Sequence, residues 1–198
     1  MNRWRGHWDI EFLGSKHWHY GRVCDLEANA AVKYRFLGYF WDKRKAWIKK
    51  MTVRTMTIDD YEGVKELWLS IRGFAIRSLD DSREGVARFL VRNPSSSVVA
   101  VEDGRIVGAI LCGHDGRRGC LYHVCVNPAY RRRGIGKAMV VFCMDALKKE
   151  NINKVSLIAF TKNDIGNAFW HSVGWKQRED LNYYDFVLND ENIEAFNQ

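Results

Sequence analysis

The 198-residue sequence has no run of apolar residues long enough to cross a bilayer as a helix, which takes about 20 residues. Its first residues carry charges and histidines where a secretory signal needs an apolar core, so no such signal is predicted. Repeats and low-complexity segments are also absent. A chain of this length is therefore expected to form one folded domain with an extension, outside any membrane.

The sequence also lacks the cysteine pattern of a disulfide framework or a zinc site. The five cysteines are odd in number and contain no C-x-x-C pair: Cys24, Cys112, Cys120, Cys125 and Cys143. Free buried thiols and a reducing, cytoplasmic location are predicted. His17 and His19 lie near Cys24 but lack a second pair of ligands, so no metal is expected.

Acidic residues are scarce in the first 50 positions, which hold 11 Lys/Arg against 5 Asp/Glu and five of the eight tryptophans. Residues 1–50 are predicted to be a basic, Trp-rich extension with little packed structure beyond a short helix at residues 26–39. Residues 51–198 are predicted to be the folded domain. Binding of nucleic acid or a membrane surface by the extension is a weaker alternative, so neither is expected as a partner.

Hydrophobic periodicity predicts alternating strands and helices after Met51. Thr57 and Asp60 indicate the start of the first helix, and Asn93-Pro94 the end of the second. Asp103-Gly104 is typical of a hairpin turn. Strands are predicted at residues 52–56, 98–101, 106–112, 120–126, 155–160, 175–179 and 183–188, and helices at 57–73, 81–93, 136–150 and 164–174.

One motif lies between a β-branched strand and the third helix: Arg131-x-x-Gly134-x-Gly136. The first turn of a helix has free N–H groups and a dipole that favours an anion, and glycine lets a phosphate approach them. The spacing matches neither a dinucleotide-binding loop nor a P-loop. We call residues 127–136 the cofactor loop and expect it to bind a pyrophosphate.

The order of strand, Asn-Pro-x-Tyr-Arg, Gly-x-Gly, helix, strand and helix ending in Gly-Trp resembles the GNAT superfamily of N-acyltransferases over residues 52–188. The resemblance implies an α/β (α+β) GNAT fold, with a mixed, mostly antiparallel sheet flanked by about four helices. It also implies an N-acetyltransferase that moves acetyl from acetyl-CoA to a primary amine by direct attack. Residues 113–119 (GHDGRRG) and 169–175 (FWHSVGW) resemble a bacterial subgroup without a settled substrate.

The resemblance also implies where the coenzyme binds. Main-chain groups of the strand before the loop would pair with the pantetheine arm, the loop would hold the pyrophosphate, and Asn163, also a candidate helix cap, would hydrogen-bond the coenzyme. The implied set is Val124, Cys125, Val126, Arg131, Arg132, Arg133, Gly134, Ile135, Gly136, Lys137, Asn163 and Trp170.

No family motif fixes the acid or the base. His123, beside the thioester-binding backbone, is the candidate base, with a role as a hydrogen-bonded wall residue as the alternative and Glu102 as a weaker candidate. Trp170 stands where many members have a tyrosine acid, so either Tyr183 or Tyr184 replaces that tyrosine or no acid is used.

Three further points stay open. The loop at residues 74–80 would form one wall of the acceptor pocket, which makes Phe74, Asp80 and Asp81 candidates to meet the substrate, although both aspartates could instead cap the second helix. Cys125 or Cys120 could accept the acyl group first, with His123 as its base. A GNAT module that binds acyl-CoA without turnover is the alternative function. The acceptor is a small-molecule or peptide amine, and a homodimer is left open.

Overall fold

The computed structural model describes residues 51–197, which form seven strands and four α-helices. The strands are β1 (Thr52–Thr55), β2 (Ala75–Arg77), β3 (Val98–Glu102), β4 (Arg105–His114), β5 (Gly119–Val126), β6 (Val155–Leu157) and β7 (Glu194–Phe196). The helices are α1 (Tyr61–Leu69), α2 (Arg83–Arg92), α3 (Ile135–Lys149) and α4 (Asp164–Ser172). The predictions for residues 1–50, namely the extension, its helix and its histidines, lie outside the described residues.

Five strands form the main sheet in the order β1-β3-β4-β5-β6. Neighbours are antiparallel except β5 and β6, which are parallel. Between β3 and β4, Asp103 and Gly104 have φ angles of 51° and 76°, as a two-residue hairpin turn with two positive φ values requires. The predicted mixed, mostly antiparallel sheet with four helices is thereby confirmed for the described residues.

Helices α1 and α2 cover one face of this sheet. The Thr57 N–H donates to the Asp60 carboxylate (2.9 Å) ahead of α1, and the Ser82 hydroxyl accepts from the Gly85 N–H (3.0 Å) at the start of α2. Ser82 therefore caps α2, whereas the sequence also offered Asp80 and Asp81 as candidates for this role. The shared core on this face consists mainly of Val64, Leu67, Trp68, Val86, Leu90, Ala109, Leu111 and Cys125.

Helix α3 covers the opposite face. Its apolar residues recur at helical spacing and are buried against β3, β4 and β5, so that one stripe of the helix faces the sheet. This second core includes Met139, Val140, Cys143, Leu147, Val98, Ile110 and Leu121. None of the helices in residues 51–197 is both long and apolar enough to cross a membrane.

The strand predicted at residues 155–160 is shorter than expected and is not central. Only Val155–Leu157 pairs, and it forms one edge of the described sheet. Ile158 and Phe160 are 66% and 58% exposed, and the Phe160 carbonyl accepts from the Asn163 N–H in a turn. The apolar run was interpreted as a buried strand, but these side chains do not point into the core.

The two strands predicted at residues 175–179 and 183–188 are wrong, because neither segment is a strand or pairs with one within residues 51–197. Instead, β2 forms inside the predicted loop at residues 74–80 and pairs antiparallel with β7. Side chains extend this contact, since the Ser78 hydroxyl donates to the Glu191 carbonyl (2.8 Å) and Asn192 Oδ1 accepts from the Leu79 N–H (3.0 Å). Alternation of apolar residues does not make a strand where no partner supplies the hydrogen bonds.

Candidate functional site

Strand β5 continues beyond its parallel neighbour β6. Their pairing ends at Leu121 and Leu157, whereas β5 runs on to Val126. Along residues 122–126 the described chain therefore places β4 on one side of β5 and no strand on the other. Such an open edge presents backbone N–H and C=O groups to a ligand. The three residues predicted to bind the pantetheine arm lie in this stretch: Val124, Cys125 and Val126.

The cofactor loop leads from this edge to the start of α3. Gly134 is the N-cap of α3, with φ of 78°, and no side chain of residues 51–197 caps this helix end. The first N–H groups of an α-helix lack partners within the helix, so residues 135–137 offer donors here. A Cβ placed on Gly134 would meet nothing within 4 Å, which shows that the space beside it is open. The geometry suits an anion at this helix end.

Two of the three loop arginines are held by protein groups. Arg131 Nε donates to the Val126 carbonyl (3.0 Å). Arg133 donates to both carboxylate oxygens of Glu102 (3.1 and 2.5 Å), and its guanidinium lies over the Tyr130 ring (5.5 Å). The bond to Glu102 raises the pKa of Arg133. Through this pair Glu102 holds the loop in place. Because the Glu102 side chain is only 1% exposed and bonded to Arg133, it is poorly placed to act as a base.

The remaining loop residues differ in exposure. Arg132, with φ of 62°, and Lys137 are exposed, while the Ile135 side chain is buried in the core under α3. A Cβ on Gly136 would lie 3.3 Å from the Phe169 ring of α4. Glycine at position 136 therefore lets α4 pack closely against the start of α3.

Asn163 is the N-cap of α4, and Trp170 lies within this helix. Asn163 Oδ1 accepts from the Gly166 N–H (3.0 Å), so the residue caps this helix. Trp170 packs against Phe169 and Trp175, with ring centroids 5.0 Å apart in each pair. The structure thus gives both residues a packing or capping role, and their contact with the coenzyme stays a prediction.

His123 lies on β5 and faces α1. Its Nε2 is 2.6 Å from Asp81 Oδ1, and the two side chains are 17% and 5% exposed. Its ring packs against those of Trp68 (4.8 Å between centroids) and Phe74 (5.1 Å). Sequence reasoning named His123 and Asp81 separately, and only the fold brings them together.

The tyrosines predicted as acids lie in the irregular segment before β7. Tyr183 and Tyr184 are 68% and 84% exposed. No sequence motif singles out Tyr122, which is next to His123 and meets Phe89 edge-on (5.9 Å). Burial, with smaller contributions from Cys120 and Tyr183, raises the pKa of Tyr122 to about 12. Tyr122 therefore keeps its proton at neutral pH.

Cys125 on β5 is a poor candidate for an acyl acceptor. Burial raises the pKa of Cys125 to about 12, so its thiolate is scarce at neutral pH. Cys120 is half-buried on the same strand and Cys112, Cys125 and Cys143 are buried, all four as free thiols. The nucleophilic alternative loses its first candidate on this ground.

Among residues 51–197, no three His, Cys, Asp or Glu side chains are grouped closely enough to hold a metal ion.

Comparison with known proteins gives concordant results. The model of the acetyltransferase (GNAT) family matches residues 61–175, more than half of the chain. An acetyltransferase of Sodalis glossinidius is 30% identical over 131 residues, which is 66% of this chain and 91% of that protein. An acetyltransferase of Pectobacterium atrosepticum is 33% identical over 114 residues, covering 58% and 79% of the two chains.

Solved structures share the fold at low identity. The PaiA N-acetyltransferase of Thermoplasma acidophilum in complex with coenzyme A has a TM-score of 0.58 and 18% identity, and the match covers 74% of this chain and 99% of that one. The aminoglycoside acetyltransferase AAC(6')-Iy, in complex with a bisubstrate analogue of coenzyme A, has a TM-score of 0.55 and 18% identity over 70% and 99% of the chains.

Proposed function

The chain belongs to the acetyltransferase (GNAT) family and takes its acetyl group from acetyl-CoA, and from that premise we propose that it acetylates a primary amine by direct attack on the thioester. The observation on which we rest this is the continuity of the open edge of β5 with the uncapped start of α3. The open edge of β5 offers backbone pairing to an extended arm, and the start of α3 offers N–H donors to a diphosphate.

The coenzyme would lie along this path. We propose that residues 122–126 pair with the pantetheine arm and that the N–H groups of residues 135–137 bind the pyrophosphate. Arg132 and Lys137, both exposed, would add charge at the phosphates. Arg131 and Arg133 would act by holding the loop, because their guanidinium groups bond to Val126 and Glu102. Asn163 and Trp170 would border the coenzyme from α4.

The reaction needs a base more than an acid. An alkyl amine with a pKa near 10 is mostly protonated at pH 7, and only its neutral form can attack the thioester. We propose that the Val124 N–H polarises the thioester carbonyl and that His123 takes the proton that the amine loses. The amine would approach along the loop at residues 74–80, whose Phe74 packs against His123.

A thiol-release assay with acetyl-CoA and a panel of metabolite amines, peptides and aminoglycosides tests this proposal. We expect release above background with at least one amine and a product that is an amide. Binding of acetyl-CoA without release for any amine would contradict the proposal and favour a module that binds the coenzyme without turnover.

The coenzyme path has its own test at the start of α3. Gly136→Asp places a carboxylate beside the proposed pyrophosphate and should weaken coenzyme A binding more than tenfold, or about 1.4 kcal/mol, by calorimetry. Gly136→Ala is the matched control, because it adds the same Cβ, 3.3 Å from Phe169, without the charge. Equal affinities for the two variants would show that no phosphate lies at this helix end.

A further inference from the structure

His123 adopts a backbone conformation that is uncommon for a residue with a side chain. Its φ angle is 50°. In the register of β4 and β5, Ala109 pairs with Cys125 and Leu111 with Tyr122, so two residues of β5 lie opposite one of β4. This is a β-bulge, and a left-handed residue within it costs of order 1 kcal/mol and persists where the surroundings impose it.

The bulge directs the His123 ring into a site with one polar partner. Trp68 from α1 and Phe74 from the following turn flank the ring without bringing charge to it. The Asp81 carboxylate lies 2.6 Å from Nε2. Among residues 51–197, the charged residue in contact with the ring is Asp81. Within the same range, Nδ1 has no hydrogen-bond partner in the protein.

Asp81 is itself held on several sides. Its Oδ2 accepts from the Arg77 N–H (2.7 Å), which leaves Oδ1 for His123. Its carbonyl accepts from the Tyr61 hydroxyl (3.0 Å), which ties the residue to α1. Arg77 belongs to β2 and is therefore fixed by the pairing with β7. A nearly buried carboxylate with both oxygens engaged has a defined position.

We propose that Asp81 is a positioning residue for His123. Its carboxylate accepts a hydrogen bond from Nε2–H and so keeps the ring in the tautomer whose free lone pair is on Nδ1. The inference rests on the proposed function, in which His123 takes a proton from the acceptor amine. The nitrogen lone pair forms the C–N bond, the C–S bond breaks with its electron pair on sulfur, and the proton moves from nitrogen to Nδ1. Asp81 stabilises the resulting imidazolium.

Asp81→Asn tests the assignment, since the two side chains have the same shape. The asparagine can still accept from the Arg77 N–H, but the NH₂ group it then turns to His123 donates to Nε2 and forces the proton onto Nδ1. We expect ¹⁵N NMR of the ring to show Nε2–H in the unmodified protein and Nδ1–H in the variant. We expect kcat to fall by about 10²-fold or more, with KM for acetyl-CoA changed less than about threefold.

Asp60→Asn is the matched control. Asp60 is another nearly buried carboxylate (9% exposed) in an ion pair, here with Arg54, and it is not in contact with His123. Its loss should lower stability while leaving the tautomer and kcat as they were. A second control combines Asp81→Asn with His123→Ala. If Asp81 acts through His123, the double variant should be no slower than His123→Ala alone.

Several results would overturn the assignment. An unchanged tautomer in Asp81→Asn would do so, as would additive losses in the double variant. If Asp81→Asn does not fold, the unmodified protein decides, because a proton on Nδ1 there is incompatible with the proposal. Two claims are tested separately: that His123 is the base, and that Asp81 fixes its tautomer. Full turnover in His123→Ala would refute the first claim. The NMR measurement tests the second claim and needs no substrate.

Discussion

At the scale of single residues, the ionisation of Asp60 is linked to folding. Arg54 donates to both of its oxygens (2.7 and 2.6 Å), and the Thr57 N–H donates to Oδ2 (2.9 Å). The hydrogen bond from Arg54 lowers the pKa of Asp60, against the opposing effect of burial. The carboxylate thus joins β1 to the start of α1 in its charged form.

We expect Asp60→Asn to lower the free energy of unfolding by about 1 kcal/mol at pH 7, because the amide can still accept from the Thr57 N–H but removes the charge and one acceptor of a half-exposed ion pair. Since the folded pKa is below the unfolded value of about 3.9, this contribution is present above pH 4 and is lost as pH falls through the folded pKa. Urea unfolding at pH 7 and at about pH 3 measures it. Asp59→Asn, at the exposed neighbour, should change stability little, and an equal Asp60→Asn deficit at both pH values would contradict the linkage.

Proton donation to the leaving sulfur should matter less than proton removal from the amine. A thiolate of pKa near 8.5 leaves readily, and Tyr122, whose pKa is about 12, would protonate it uphill. We expect Tyr183→Phe and Tyr184→Phe each to lower kcat less than tenfold, because both side chains are largely exposed. Single-turnover rates measure this, and a loss of about 10²-fold or more in one of them would identify it as the acid.

The His123 and Asp81 pair shows why single residues could be predicted and their relation could not. His123 follows from its place beside the predicted thioester-binding strand, which is a local argument. Its partner lies 42 residues earlier in the chain. The contact also depends on a one-residue bulge in β5, and sequence alternation gives no sign of such a shift.

At the scale of secondary-structure elements, the hairpin of β3 and β4 is coupled to the cofactor loop. Glu102 ends β3 with its side chain buried, and Arg133 reaches it from the loop with two hydrogen bonds. The two-donor fork of arginine fixes both the distance and the orientation of the loop relative to the sheet. The loop is therefore positioned before any ligand binds.

We expect Glu102→Gln to weaken coenzyme A binding by about three- to tenfold, because the amide keeps the shape but loses one acceptor and the charge that orients Arg133. Calorimetry with coenzyme A measures the change. Asp180→Asn is the control, since it alters a similar two-bond pair with Arg178 at an exposed site that makes no hydrogen bond to the loop. Identical effects of the two substitutions would show that the Glu102 pair has no special role.

Elements with local signals were predicted within one or two residues, except α1, which begins and ends four residues inside the predicted range of 57–73. Three of these signals depend on residues close in sequence: the cap at Thr57, the cap at Ser82 and the turn at Asp103-Gly104. Strands β2 and β7 were not predicted, because each is three residues long and the two lie more than 100 residues apart in the sequence. Such short strands exist through their mutual pairing and leave almost no periodicity in the sequence.

At the scale of the whole molecule, positive charge is unevenly distributed along the chain. Of a net charge of +7, residues 1–50 contribute +6 and the remaining 148 residues +1. The family match at residues 61–175 and the site residues all lie in the nearly neutral part. The chemistry of acetyl transfer and the basic, Trp-rich segment thus belong to different parts of the sequence.

We therefore expect a chain that begins at Met51 to bind acetyl-CoA within about threefold of the full chain, since its site residues are complete. Heparin, a polyanion, tests the alternative role of the extension: binding by the full chain that weakens steeply as salt rises and is lost in the shortened chain would assign polyanion binding to residues 1–50. A full-length variant with Lys43, Arg44 and Lys45 changed to serine separates charge from length, and its heparin affinity should be intermediate. A shortened chain that is insoluble or does not bind acetyl-CoA would mean that the first 50 residues are part of the folded enzyme.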